Sequence, residues 1–446
     1  MGIVFGNYVP IERKKIKTST GKHFVKAWWT DLNDNKITEA LLGDTVKFHL
    51  ESKDIPDGQP IFISMFDDDR RIRLDEDKEN DKITLVDSKT GKSSLFQRIY
   101  GNKLVKTIIL SNLDSFIKNE EDGILELFFA CSYKNDHEDL PHKTSDYLKV
   151  KGMPKIIIVN GQWRIAHYTI GEIIPVGPTE PKKPYWVEGM AKNAWNYFNL
   201  QFGFSKKFTI NQTLTSIKEL EDKNYILYYD GSSYAGGDQS GTDRFANGRK
   251  FAEDNYKEII KGLGKEAIYL VSHSEGGAYA AGMADFLFEK GHTIGEHILL
   301  SPDEGDEFEI NSAIPSYQLL YMFFSNSISN KKWIQGLRGI KFKKWDSYYA
   351  IVDWVVNEHK IKGITKMGIV HNQEAGWTGV HGFTNGFDIF KKVADLKGVK
   401  SFLVQGEHKG KFYSGQDQTK TPNGTKFYRI DDEYIITNCP PLIDVQ

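Results

Sequence analysis

The chain has 446 residues, a formal charge of -2, and 39% hydrophobic, 26% charged and 13% aromatic residues. That length excludes a mini-domain and allows two or three domains, and the composition excludes a disordered chain. Lys and Arg are interspersed with Asp and Glu, so no basic stripe of the kind that tracks phosphates is visible and nucleic acid is not an expected partner.

The N-terminal segment "MGIVFGNYVPIERKKIKTS" lacks the apolar core of a signal peptide. It also misses the myristoylation pattern, because Gly6 stands where Ser or Thr is wanted. No run of about 18 apolar residues exists to span a bilayer. The expectation is a soluble chain made in the cytoplasm, exported, if at all, by a leaderless route. Cys131 and Cys439 lie far apart with no metal-ligand spacing around them, so free thiols are expected and neither a metal nor a cofactor.

Residues 22–150 alternate strand-like runs with turn clusters: "HFVKAWWTDLNDNK", "DTVKFHLESKDIPDGQPIFISMFDDD", "KLVKTIILSNL", "GILELFFACSY" and "SDYLKV". Period-2 segments without a long helix predict an antiparallel β-sandwich of about seven strands, Ig-like, over residues 1–152. The acidic turn "DEDKENDK" lacks the glycine and distal glutamate of a calcium loop and reads as a solvated hairpin.

From residue 153 the pattern changes. "KIIIVNGQW" is a continuous apolar run of the buried parallel-strand kind, and the Pro-rich "GPTEPKKP" leads to a helix at "YWVEGMAKNAWNYFN". The strand "NYILYYDGSS", a helix around "DRFANGRKFAEDNYKEIIKGL", the strand "AIYLVSHS", a helix from Gly276 to Lys290 and the strand "EHILLSP" follow. Alternation of this sort predicts a mostly parallel sheet flanked by helices across residues 153–446.

"SHSEG" puts Ser274 where a buried strand hands over to a helix, with Ser272 and Gly276 two positions to either side. A nucleophile raised on such a turn needs small neighbours, because strand and helix backbones nearly touch there. A helix beginning directly behind Ser274 would turn free N–H groups toward an oxyanion, the first of them from Glu275. The alternative is an ordinary turn in which Ser274 only caps the helix.

A serine alkoxide needs a histidine, and the histidine needs an acid. His381, between glycines in "GWTGVHGFTNGFDIFKKVADL", is the favoured base, with His371 and His408 as rivals; His292 and His297 fall toward the wrong end of the sheet. Asp353, ending the apolar run "SYYAIVD", is the favoured acid, with Asp303 after "EHILLSP" as the alternative. A second oxyanion donor is expected from the loop after "ILYYD", where Gly231 permits a tight turn and Ser232 offers its N–H.

These motifs resemble the α/β-hydrolase superfamily, and "SPDEGDEF" (with Gly305, Asp306 and Phe308) and "VDWVV" look like the corresponding segments of class 3 lipases. The resemblance implies an α/β-hydrolase catalytic domain and a lipase or phospholipase acting through an acyl-enzyme. A leaderless chain with a sandwich ahead of such a domain is also similar to type VI secretion lipase effectors. That similarity implies an antibacterial toxin, contact with a membrane surface and with the secretion apparatus, and a cognate immunity protein.

Residues 313–340, "AIPSYQLLYMFFSNSISNKKWIQGLRGI", read equally as a lid or acyl-chain wall and as a core strand or helix. Two competing functions stay open: an esterase acting on polysaccharide or small-molecule esters, and an inactive hydrolase-fold binding or delivery protein.

Overall fold

The computed structural model describes residues 22–68, 82–85, 96–111, 113–161, 190–204, 217–231, 240–325, 342–345, 348–352, 360–371, 389–398, 426–430 and 433–437. The chain divides into two compact units. The described residues through Pro154, joined by Ile260–Glu266, form the first, and most of the chain from Lys155 onward forms the second. No helix among the described residues is long and apolar enough to cross a membrane.

The first unit holds two sheets. One runs in the order Lys36–Ile37, Phe24–Thr30, Thr45–Ser52, Lys103–Ile109, with every pair antiparallel. Thr45–Ser52 buries every second side chain, so Val46, Phe48 and Leu50 enter the core. The other sheet is built on Ile124–Tyr133 and Pro60–Asp67. Trp29 and Phe48 from the first sheet meet Phe129 from the second, with ring centroids 5.7 and 4.3 Å apart, inside one continuous apolar cluster.

The antiparallel expectation fails at one pair: Glu39–Leu41 and Leu148–Lys151 run parallel, because they are joined by a long crossover and not by a hairpin. Cys131 is buried in this core, which pushes its thiol pKa up. Most of the acidic turn read at residues 75–82, and Cys439, lie outside the described residues.

The second unit is organised by one mixed sheet. Its strands are β1 (Lys155–Asn160), β2 (Ile226–Asp230), β3 (Ile268–His273), β4 (Ile294–Leu300), β5 (Ser316–Ser325), β6 (Phe342–Trp345), β7 (Tyr348–Val352), β8 (Lys366–His371), β9 (Lys426–Ile430) and β10 (Glu433–Thr437). Their spatial order is β2-β1-β3-β4-β5-β8-β10-β9, with β7 against β5 and β6 against β7. From β2 through β10 the neighbours on this path are parallel. β1 and β3 are buried at every position, as strands covered on both faces must be.

Helices α1 (Met190–Phe202), α2 (Gly241–Asp254), α3 (Gly276–Glu289) and α4 (Ile389–Gly398) supply the cover. On one face, Phe198 of α1 packs on Tyr269 of β3, with centroids 4.7 Å apart, and Tyr197 stacks on Phe390 of α4. α3 lies on the opposite face of the sheet, where Gly277 comes against Leu299 and Pro302. α2 crosses α3 so closely that a Cβ on Gly248 would stand 1.9 Å from the carbonyl oxygen of Tyr279, and one on Gly282 would stand 2.0 Å from that of Phe245. Glycine at both positions is what allows backbone to touch backbone.

Residues 316–325, which read as lid or as core, are β5, with Leu319 and Leu320 fully buried. That part of the apolar segment is therefore a sheet strand and not a lid, and residues 326–340 lie outside the described residues. β5 is longer than its neighbour β4. It pairs with β4 over Ser316–Leu319 and with the antiparallel β7 over Met322–Ser325. Met322 also pairs with His371 of β8, so β7 lies on the β4 side of β5, continuing where β4 stops.

Gly282→Val places a branched side chain where a carbonyl already sits. Overpacking of this kind costs about 1–3 kcal/mol or more, so thermal unfolding of the full chain shifts down by several degrees. Gly398→Ala, with nothing within 4 Å of the added carbon, leaves the transition in place.

Candidate functional site

Ser274 follows the last residue of β3 and precedes Glu275, the N-cap of α3. Its φ is +56°, in the left-handed region that costs an L-residue about 1–2 kcal/mol. Among the described residues, eight non-glycine residues have positive φ, and Asp34, Asp54, Asn102 and Asn224 belong to the types that tolerate it. Of the other four, Ser274, Ser301 and Glu304 gather at the carboxyl ends of β3 and β4. Backbone strain in this unit is concentrated at one place.

The surrounding backbone enforces the bend. The N–H of Ser274 donates to the carbonyl of Leu300 on β4 (3.0 Å), and the N–H of Gly277 donates back to the carbonyl of Ser274 (2.9 Å). Gly276 sits against the end of β1: a Cβ there would lie 2.4 Å from the Asn160 carbonyl oxygen. This is the close approach that makes a small residue necessary two positions after Ser274. Gly231 is held the same way, 2.5 Å from that oxygen by the same measure, and its N–H donates to it at 3.0 Å.

Ser272 does something the motif does not anticipate. Fully buried beneath α3, its hydroxyl is 2.9 Å from Nε2 of His297 on the neighbouring strand. Burial pushes the His297 imidazole down to about 3, so the ring is neutral, and its Nδ1 has no hydrogen-bond partner among the described residues. His297 is thus enclosed in the sheet below the bend. His292, the other histidine read as remote, is bound to the hydroxyl of Tyr256 at 2.8 Å.

The second oxyanion donor was expected after β2, from Ser232, which lies outside the described residues. The spatial order puts β1, not β2, beside β3. Gly161, the residue after β1, is the near neighbour of the bend: a Cβ on it would fall 2.5 Å from Cβ of Ser274 and 2.9 Å from the N of Glu275. In the sheet β1 lies between β2 and β3, although β2 comes between β1 and β3 along the chain. The available signal was a glycine directly after the apolar run "KIIIVN".

His381 and Asp353 also lie outside the described residues. β8 ends at His371 and α4 begins at Ile389, and His381 stands between them in the sequence. Val352, the residue before Asp353, pairs with Met322, three residues along β5 from the Leu319–Leu300 pair at the top of β4. The apolar run before Asp353 is a strand, as its residues suggested, and it pairs antiparallel with both β5 and β6. Asp303 lies three residues past β4, and its Oδ1 accepts the N–H of Glu304 at 2.9 Å.

Two charged residues that sequence reasoning passed over complete the site. Arg244, buried on the α2 stripe with Gly241, Gly248 and Ala252, places Nη2 2.8 Å from Oε1 of Glu275, and Nε 3.5 Å from Oε2 of Glu304. Burial, with the Asp303 charge next, raises the Glu304 carboxyl from 4.5 to about 7. The loop carrying Glu304 is tied to α2 as well: Glu307 Oε2 accepts the N–H of Gly241 (2.8 Å), and its carbonyl accepts the Thr242 hydroxyl (2.6 Å). The visible signal for Arg244 was its four-residue spacing to Gly248 and Ala252 on one helical face. Among the described residues, no group of three or more His, Cys, Asp or Glu side chains is arranged to hold a metal ion.

No protein-family model, curated protein or solved structure matches the chain.

Ser272→Gly restores a glycine at the first position of the general motif yet removes the partner of a buried imidazole nitrogen. Leaving such a group unsatisfied costs about 1–3 kcal/mol, read as a lower urea midpoint. Glu304→Gln has a pH signature. A carboxyl whose folded pKa is raised contributes stability below its unfolded pKa and loses it as pH rises through about 7. The variant therefore melts higher than wild type at pH 8 and matches it at pH 4.5; equal melting at both sinks this assignment.

Proposed function

We propose that the chain is a serine hydrolase of the α/β-hydrolase kind that cleaves carboxylic esters, with lipid esters as its substrates. The observation that carries this reading is Ser274 itself: a non-glycine residue held at positive φ between a central parallel strand and a helix, with the Gly161 and Gly276 backbones pressed against the turn. Ordinary strand-to-helix turns have no need of such a residue, whereas a nucleophile raised on a tight strand-to-helix turn requires it.

In the proposed reaction, His381 takes the Ser274 proton as Oγ attacks the ester carbonyl, and Asp353 holds the imidazole in the right tautomer. The N–H of Glu275 and a second donor from the chain leaving Gly161 receive the oxyanion. His381 then returns the proton to the departing alcohol, and water releases the acid from the acyl-enzyme by the same steps in reverse order. Support for His381 is its sequence position between β8 and α4, and support for Asp353 is the register of Val352 above β4. Lipid esters are preferred over sugar esters on the segments "SPDEGDEF" and "VDWVV".

A fluorophosphonate probe labels the wild-type protein at Ser274 and leaves Ser274→Ala unlabelled. Hydrolysis of phospholipid vesicles drops at least about 10³-fold in Ser274→Ala and in His381→Ala, the scale seen when a triad member is removed. Activity on acetylated sugars with none on vesicles would move the substrate class to polysaccharide esters, and retention of activity by Ser274→Ala would sink the reading.

A further inference from the structure

The Arg244–Glu275 pair is placed where stability is a poor account of it. Side chains of both residues are more than nine-tenths buried, and burying two charges costs desolvation that their attraction only offsets when the geometry is good. Apolar residues of similar volume would join α2 to α3 as well. What an apolar pair cannot supply is a directional hold on one residue, and the residue held is the one directly after Ser274.

Locally the Ser274–Glu275 peptide unit is held through its carbonyl, which accepts the Gly277 N–H at 2.9 Å, while the Glu275 side chain makes no cap on α3. Arg244 reaches it from a separate helix, and that helix is itself immobilised. Gly248 and Gly282 bring α2 and α3 into backbone contact, the Ser240 hydroxyl accepts the N–H of Asp243 at 3.1 Å, and Glu307 ties the start of α2 to the loop after β4. Glu304 lies on the Nε side of the same guanidinium, so the fork meets a carboxylate from each of two elements.

We infer that Arg244 is a positioning residue: by gripping the Glu275 carboxylate it fixes the Ser274–Glu275 peptide unit and keeps the Glu275 N–H aimed at the oxyanion. This rests on the hydrolase reading. Because the Glu275 N–H belongs to the main chain, every side-chain variant of Glu275 keeps the donor and loses only its aim. A hydrogen bond that strengthens in the transition state affects kcat and not ground-state binding.

The experiment compares wild type, Arg244→Gln, Arg244→Lys, Glu275→Gln and the double variant Arg244→Gln/Glu275→Gln on phospholipid vesicles. Fluorophosphonate labelling rates and thermal unfolding are measured in parallel. Complete loss of one oxyanion donor costs about 10²–10³ in kcat, so a misaimed one costs about 10- to 100-fold. Arg244→Gln is expected to lose that much kcat with KM within about twofold of wild type, Arg244→Lys recovers part of it, and the double variant is no worse than either single. The double variant removes both charges of the Arg244–Glu275 pair and serves if Arg244→Gln does not fold.

Full kcat in a folded Arg244→Gln or double variant overturns the inference, as do losses that multiply in the double variant, since Arg244 would then act by a route other than Glu275. A wild type that neither hydrolyses nor takes the label overturns the hydrolase reading and this inference with it.

Discussion

Backbone meeting backbone at the carboxyl ends of β1 and β3 is the constraint on which the rest of this unit depends. Gly161, Gly231 and Gly276 all crowd the last residues of β1 and the bend after β3, and a Cβ on any of them would stand under 3 Å from a neighbouring atom. With that space closed, the chain leaving β3 can turn into α3 only by way of one residue in the left-handed region, and that residue is a serine. The strain is of order 1–3 kcal/mol, which a lone turn would relieve and an over-determined one cannot. The hydrogen bonds from Ser274 to Leu300 and from Gly277 to Ser274 hold it there.

The charges around the bend are arranged by the same packing. α3 directs its free N–H groups toward Ser274, and the carboxylate of Glu275 at that end is favourable to the helix dipole and is matched by Arg244. Beneath the bend the sheet is uncharged, with Ser272 and His297 bound to each other and the imidazole unable to take a proton at ordinary pH. Above it, Glu304 titrates close to neutrality because burial and its acidic neighbours oppose its charge. The site thus has an uncharged floor and a charged wall contributed by α2 and the loop after β4.

Much of this was legible in the residues. The period-2 runs of residues 22–150 and the alternating apolar and amphipathic segments beyond them record which faces must be buried, and the strands and helices form where that periodicity changes. "SHSEGG" carried its meaning through residue size. Where the residues left alternatives open, contacts between distant segments chose between them. "YQLLYMFF" is as apolar as an acyl-chain wall, yet it is a sheet strand, because apolar burial does not record what buries it. Gly231 and Gly161 both follow apolar runs, and only the strand order shows which of them borders Glu275. Arg244 stands about thirty residues before Glu275, and its spacing to Gly248 and Ala252 marks the face of α2 it lies on but not the partner it meets.

By itself the amino-acid sequence determined the two kinds of architecture, the identity of the residue in the bend and the small neighbours that bend requires, because these follow from short-range sterics and burial periodicity. Tertiary structure alone decided that β1 lies between β2 and β3, that a buried arginine faces the residue after Ser274, and that the serine two positions before it is occupied by an enclosed histidine. Those are contacts between segments far apart along the chain, fixed by how strands order themselves in a sheet and how closely two helices can cross.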